Sequence, residues 1–213
     1  MATGLDDVVA AETALSDVDG LAGRLIIRGH SLDELAGGTS AEEILGMLFA
    51  NAFEQGPTPA LLGAARVTVF KRFEHHLRSL ADTPVFDAVR ACVALLPDDD
   101  ALETALLLVA APAVLVPALL RQRDGRPAIA PDPTLGHAAD ILRMLRGQAA
   151  APAETAGLDT YLVTVADHGL NASTFAALPC LASHATLPVA FGHTTGAPVA
   201  TAASTSATDG NGS

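Results

Sequence analysis

The run Asp167-His168-Gly169-Leu170-Asn171 holds the residue types of this chain best suited to ligand chemistry. An imidazole and a carboxamide lie close together in sequence, and each can donate a hydrogen bond to an anion. The preceding residues read as a helix that ends here, with Gly169 at its C′ position. Asn171 reads as the N-cap of a following helix, with Ser173 and Thr174 in its first turn. A helix N-terminus presents unpaired N–H groups and the positive end of a dipole, so it attracts carboxylates. His168 and Asn171 beside such an end would form a small anion cradle. The spacing leaves a second reading open, in which both side chains satisfy backbone groups at a helix–helix junction.

Other chemistry-bearing residues point less far. His75 and His76 are adjacent, whereas two ligands on one helix need to be about a turn apart, so no metal site is expected there. Asp98, Asp99 and Asp100 read as the negative start of a helix, facing its positive end. Cys92 and Cys180 match no metal or redox spacing and read as packed thiols of a reduced, cytoplasmic protein. The start, "MATGLDDVVAAE", is acidic and has no apolar core of a signal peptide. The glycosylation pattern at Asn171–Ser173 is discounted for the same reason. There is no Gly-rich phosphate loop, no nucleophile elbow and no zinc spacing, and no cofactor is expected.

The elements that must position His168 read as helices. The run "RLIIR" carries β-branched residues between two arginines, so residues 9–28 read as two extended pieces, with "SDVDG" (16–20) as the turn between them. Ser31 with Glu34, and Ser40 with Glu43, are capping boxes, with Gly37–Gly38 as a stop between them. Residues 60–81 place Val67, Phe70, Phe73, Leu77 and Leu80 on one helical face. "PVFDAVRACVALL" is a further helix. Thr104–Leu120 is uncharged but shorter than the roughly 20 residues of a membrane span. With Pro112 and Pro117 inside it, it reads as a buried, kinked core helix. "HAADILRMLRG" turns Leu142 and Leu145 inward, with Leu135, Ala138 and Ile141, and stops at Gly147. "AETAGLDTYLVTVADHG" is the last helix.

Composition agrees. Half of the 213 residues are hydrophobic, and aromatic residues make up 4%. Abundant Ala and Leu favour helix, and scarce aromatic residues disfavour sheet. The expected class is mainly α, with one short N-terminal β-hairpin. A formal charge of −12 repels nucleic acid and anionic lipid, so neither a nucleic-acid nor a membrane partner is expected.

Three runs in order resemble the citrate synthase family, in particular its bacterial and archaeal citrate and 2-methylcitrate synthases. They are "GLDDVVAAETALSDVDGLAGRLIIRGHSLDEL" (4–35), "APDPTLGHAADILRMLRG" (130–147) and "LDTYLVTVADHGLNASTFAA" (158–177). The resemblance covers about residues 4–177. It implies the helical large domain of a two-domain dimer with its active site in the cleft between the domains. It also implies condensation of acetyl-CoA or propionyl-CoA with oxaloacetate, followed by hydrolytic release of CoA. Such chemistry needs a carboxylate to remove the thioester α-proton and donors to stabilise the enol. It also needs arginines to clamp the dianion. By resemblance, the histidine of "DHGLNAS" holds oxaloacetate and the asparagine lies alongside. These roles carry over to His168 and Asn171.

The family's later motifs, a His-Gly-Gly, a Gly-Phe-Gly-His, the base aspartate and the clamping arginines, are not found in these 213 residues, so no catalytic residue is assigned. No Arg or Lys follows Arg146. "AFGHTTG" at 190–196 lies too close to His168 to be the second histidine motif. Residues 178–213 carry one formal charge, Asp209, and no periodicity, which predicts a disordered tail. Its origin as an out-of-frame reading of a synthase gene is a hypothesis motivated by Ala200–Ala203, whose GC-rich codons can hide a shifted His-Gly-Gly. The expectation is therefore a truncated family member, inactive by itself and dimeric with a copy or with a full-length homologue. The alternatives are a non-catalytic paralogue that docks on a full-length synthase, or a product without a role.

Overall fold

A computed structural model describes residues 13–169. The described residues open with a small antiparallel sheet in the order β1-β2-β3: Ser16–Asp19, Arg24–Ile27 and His30–Ser31. Among the described residues seven helices follow: α1 Leu32–Leu35, α2 Ala41–Phe49, α3 Pro59–Phe73, α4 Val85–Val93, α5 Leu102–Arg123, α6 His137–Arg146 and α7 Pro152–Thr164. The mainly helical class is as the sequence implies.

The first strand corrects the expected turn. Ser16–Asp19 is strand, pairing with Arg24–Ile27 so that Ser16 faces Ile27 and Asp19 faces Arg24. The turn lies at residues 20–23, where the Asp19 carboxylate accepts the Ala22 N–H at 2.9 Å. Aspartate at a strand end closes such a turn as readily as it would sit inside one. The β3 pairing makes this a three-stranded sheet rather than a hairpin.

Both predicted capping boxes form. The Ser31 and Ser40 hydroxyls accept the N–H groups of Glu34 and Glu43, each at 3.3 Å. The two glutamates return to the cap backbone at 2.9 and 2.7 Å. Helix α5 is the centre of the core. It packs against α3, α4 and α6, and Leu115 and Leu119 have no exposed surface. It is long and apolar enough to cross a membrane, but 67% of its apolar window is buried by the rest of the protein. Each fully buried Leu or Val is worth about 1.5–3 kcal/mol of transfer free energy. Pro112 and Pro117 lie inside it, as expected. At its start, the Asp99 carboxylate accepts the Ala101 N–H at 3.0 Å, and hydrogen bonds from Thr104 and Ala101 lower its pKa.

Two helical faces differ from the apolar reading. Helix α3 ends at Phe73 and buries Leu62, Ala65, Arg66, Val69 and Phe73, leaving Val67 and Phe70 at the margin. Helix α6 buries His137, Ala138, Asp140 and Met144, while Leu135, Ile141, Leu142 and Leu145 are only partly covered. In both helices a charged residue occupies the inward stripe. An apolar-periodicity reading rotates the helix away from such a stripe.

Candidate functional site

Helix α7 carries the chain to His168. Val163 is fully buried, and the Asp159 carboxylate accepts the Ala41 N–H at the start of α2 at 3.0 Å. The helix ends at Thr164 with Val165 as its C-cap. His168 therefore lies beyond the helix in a separate turn, and Gly169 is not that helix's C′ residue. β-Branched Val163, Thr164 and Val165 in succession weaken the last turn.

That turn is built by its neighbours. Asp167 is buried, and its Oδ1 accepts the Gly169 N–H at 3.0 Å, which closes an Asx turn around His168. Gly169 has φ +76°, a conformation that glycine adopts without steric cost. A Cβ there would lie 2.8 Å from Val18 Cγ2 and 3.8 Å from Ser16 Oγ, so the turn rests directly on β1. His168 itself is exposed. Asn171, Ser173, Thr174, Cys180 and the segment 178–213 lie outside the described residues. The site is thus described at His168 and its supports.

A second polar cluster was not anticipated. Arg66 and Asp140 are completely buried and joined Nε to Oδ2 at 3.0 Å. Arg66 also donates to the Leu135 and Asp132 carbonyls at 2.7 and 3.3 Å and reaches His137 Nδ1 at 3.3 Å. Asp140 Oδ1 accepts from Arg143 Nη2 at 2.6 Å, and the Asp132 N–H lies 3.2 Å from both carboxylate oxygens. The His137 N–H donates to Glu42 Oε1 at 2.6 Å. Burial, followed by the adjacent Arg66 charge, lowers the His137 pKa to about 4. The ring is therefore neutral at pH 7, and the Arg66 donor assigns its proton to Nε2.

This cluster holds loop 131–136 between α3 and α6. Gly63 completes it, because a Cβ there would lie 3.0 Å from Pro133 Cα and closer still to the Pro133 carbonyl oxygen. With the Arg66 nitrogens engaged by protein partners, the cluster is a structural lock rather than an anion site. The sequence signal was a charge inside each apolar stripe, Arg66 between Leu62 and Val69 and Asp140 between His137 and Met144.

Elsewhere, His75 and His76 are exposed. Cys92 is buried, and desolvation raises its thiol pKa, which makes it unreactive. Among the described residues, no three His, Cys, Asp or Glu side chains converge as a metal site. A cavity of about 510 Å³ lies between Arg78 and the end of α5 at Gln122 and Arg126, and His168 is not among its lining residues.

Comparison with known proteins defines the class. Residues 4–197 match the family model for the citrate synthase C-terminal domain, and the chain belongs to the citrate synthase family. The matched range runs past Ala177, where the sequence resemblance ends. Similar relatives include a citrate synthase of Haloferax volcanii, 34% identical over 193 residues, covering 82% of this chain and 51% of the relative. A 2-methylcitrate synthase of Mycobacterium tuberculosis is 32% identical over 189 residues, covering 82% of this chain and 47% of the relative. The fold matches the citrate synthase of Pyrobaculum aerophilum with a TM-score of 0.70 and 27% identity, covering 89% of this chain and 53% of that one. The chain spans about half the length of these relatives.

Proposed function

We propose that these 213 residues form the oxaloacetate-holding part of a citrate synthase-type acyltransferase. The observation that carries this reading is His168, exposed on a turn fixed by Asp167 and Gly169 within the family-matched range. In this reading the His168 imidazole donates to oxaloacetate and the Asn171 carboxamide lies beside it. Donors aimed at an anion bind it best when they are fixed before it arrives. The co-substrate is acetyl-CoA or propionyl-CoA, and no further cofactor takes part. Condensation removes a proton from the thioester α-carbon, joins that carbon to the oxaloacetate ketone, and releases CoA with water.

The residues present supply an imidazole and an amide. No arginine follows Arg146 to clamp a dianion, and no base carboxylate is assigned. In this reading these residues contribute contacts to oxaloacetate, and no acyl-CoA turnover is expected of them by themselves. The test measures CoA release with oxaloacetate and either acyl-CoA, alongside oxaloacetate binding by calorimetry. Binding without release is expected. Release by the chain alone would overturn the inactive reading, and absence of binding would overturn the ligand assignment.

A second reading is a docking role on a synthase subunit in the cytoplasm. It is favoured by Phe86 and Leu95, large apolar residues 65% and 64% exposed at the two ends of the α4 region. Co-purification with a full-length synthase, lost on Phe86→Glu, is the expected result. Gel filtration as a monomer, with no co-purification, would contradict it.

A further inference from the structure

We propose that strand β1 positions His168, with Val18 as the positioning residue. The inference rests on the reading of His168 as an oxaloacetate ligand and names what aims it. Residues 18 and 169 come from opposite ends of the described chain, yet they meet so closely that a single added carbon at Gly169 would fall 2.8 Å from Val18 Cγ2. The contact is one of shape. Ser16 Oγ, the next neighbour of that added carbon at 3.8 Å, is buried and has no hydrogen-bond partner. From within its own turn, Gly169 is held by the Asp167 carboxylate. The backbone on either side of His168 is therefore fixed, by a buried aspartate before it and by β1 after it.

Val18 is otherwise poorly used by the fold. It is 51% exposed and lies on an outer strand of the sheet. Its close approach to Gly169 ties this strand to the His168 turn. A binding donor loses effectiveness when its support allows it to wander by a fraction of an ångström. A light contact on a half-exposed residue can thus matter for the ligand while contributing little to stability.

The test compares Val18→Ala, Gly169→Ala and the double variant in the full 213-residue chain. Three quantities are read: the His168 ring resonances without ligand, the oxaloacetate dissociation constant, and the thermal midpoint. Val18→Ala should leave the midpoint within about 2 °C of the parent, as for a surface substitution. It should also shift the His168 resonances and weaken oxaloacetate about threefold. Gly169→Ala adds both a collision and a left-handed alanine, and should weaken binding about tenfold or more. The double variant should bind more tightly than Gly169→Ala, because the collision is gone.

The proposal is overturned if Val18→Ala leaves both the resonances and the affinity at parental values, or if the two substitutions weaken binding independently. Should Gly169→Ala fail to fold, Val18→Ala alone decides. If the parent chain binds no oxaloacetate, the ligand reading fails. The positioning claim is then judged on the ligand-free resonances, which must move in Val18→Ala to sustain it and overturn it if they do not.

Discussion

Substituting Asp140 by alanine should destabilise the protein severely without touching the proposed ligand site. The carboxylate is fully buried and holds Arg66, Arg143 and the Asp132 N–H at once. Its removal leaves the Arg66 guanidinium, itself without exposed surface, as an uncompensated charge between α3 and α6. Removing one partner of a buried ion pair costs about 3–5 kcal/mol, against a total stability of about 5–15 kcal/mol for a domain. Urea unfolding followed by helical circular dichroism should show a midpoint lower by about 1 M or more, given slopes of about 1–3 kcal/mol per M. Removing both charges in Arg66→Met with Asp140→Leu should recover part of the loss. The recovery is partial because the Leu135 and Asp132 carbonyls lose the Arg66 donor. A loss under about 1 kcal/mol in Asp140→Ala, or a double variant weaker than that single one, would refute the assignment of this cluster as a lock.

The His137 pKa of about 4 lies below the ordinary value of 6.5, so folding favours the neutral ring. That stability is complete above about pH 6.5 and is lost as pH falls toward 4. Between pH 7 and 5 it should amount to about 2 kcal/mol, and His137→Gln should flatten the stability profile by that much in denaturation curves at both pH values. Gly63→Ala should cost about 1–3 kcal/mol by overpacking against Pro133, read from the urea midpoint. Ser40→Ala removes the cap of α2 and should cost about 1 kcal/mol by the same measurement.

Much of the fold was legible because local chemistry announces it. The two capping boxes at Ser31 and Ser40, the proline-bearing α5, and the stop at Gly147 with φ +88° all act through neighbouring residues. Reading failed where long-range pairing set the answer. Arg66 and Asp140 are 74 residues apart in sequence, and each disguised the inward face of its helix as a surface position. The register of β1 was lost because Ser16–Asp19 has turn composition but strand partners. At the site, the motif around His168 was visible as residue types in order, and the end of α7 at Thr164 was not. The contact of Gly169 with Val18 could not be read from spacing, because it joins opposite ends of the described chain.

The most direct test of the account is calorimetric titration of oxaloacetate into the 213-residue chain and its His168→Ala variant, with both shown to be equally folded. The account predicts saturable binding to the parent chain that becomes about tenfold weaker or more without the imidazole. Equal binding by the two proteins, or none by the parent, would contradict it.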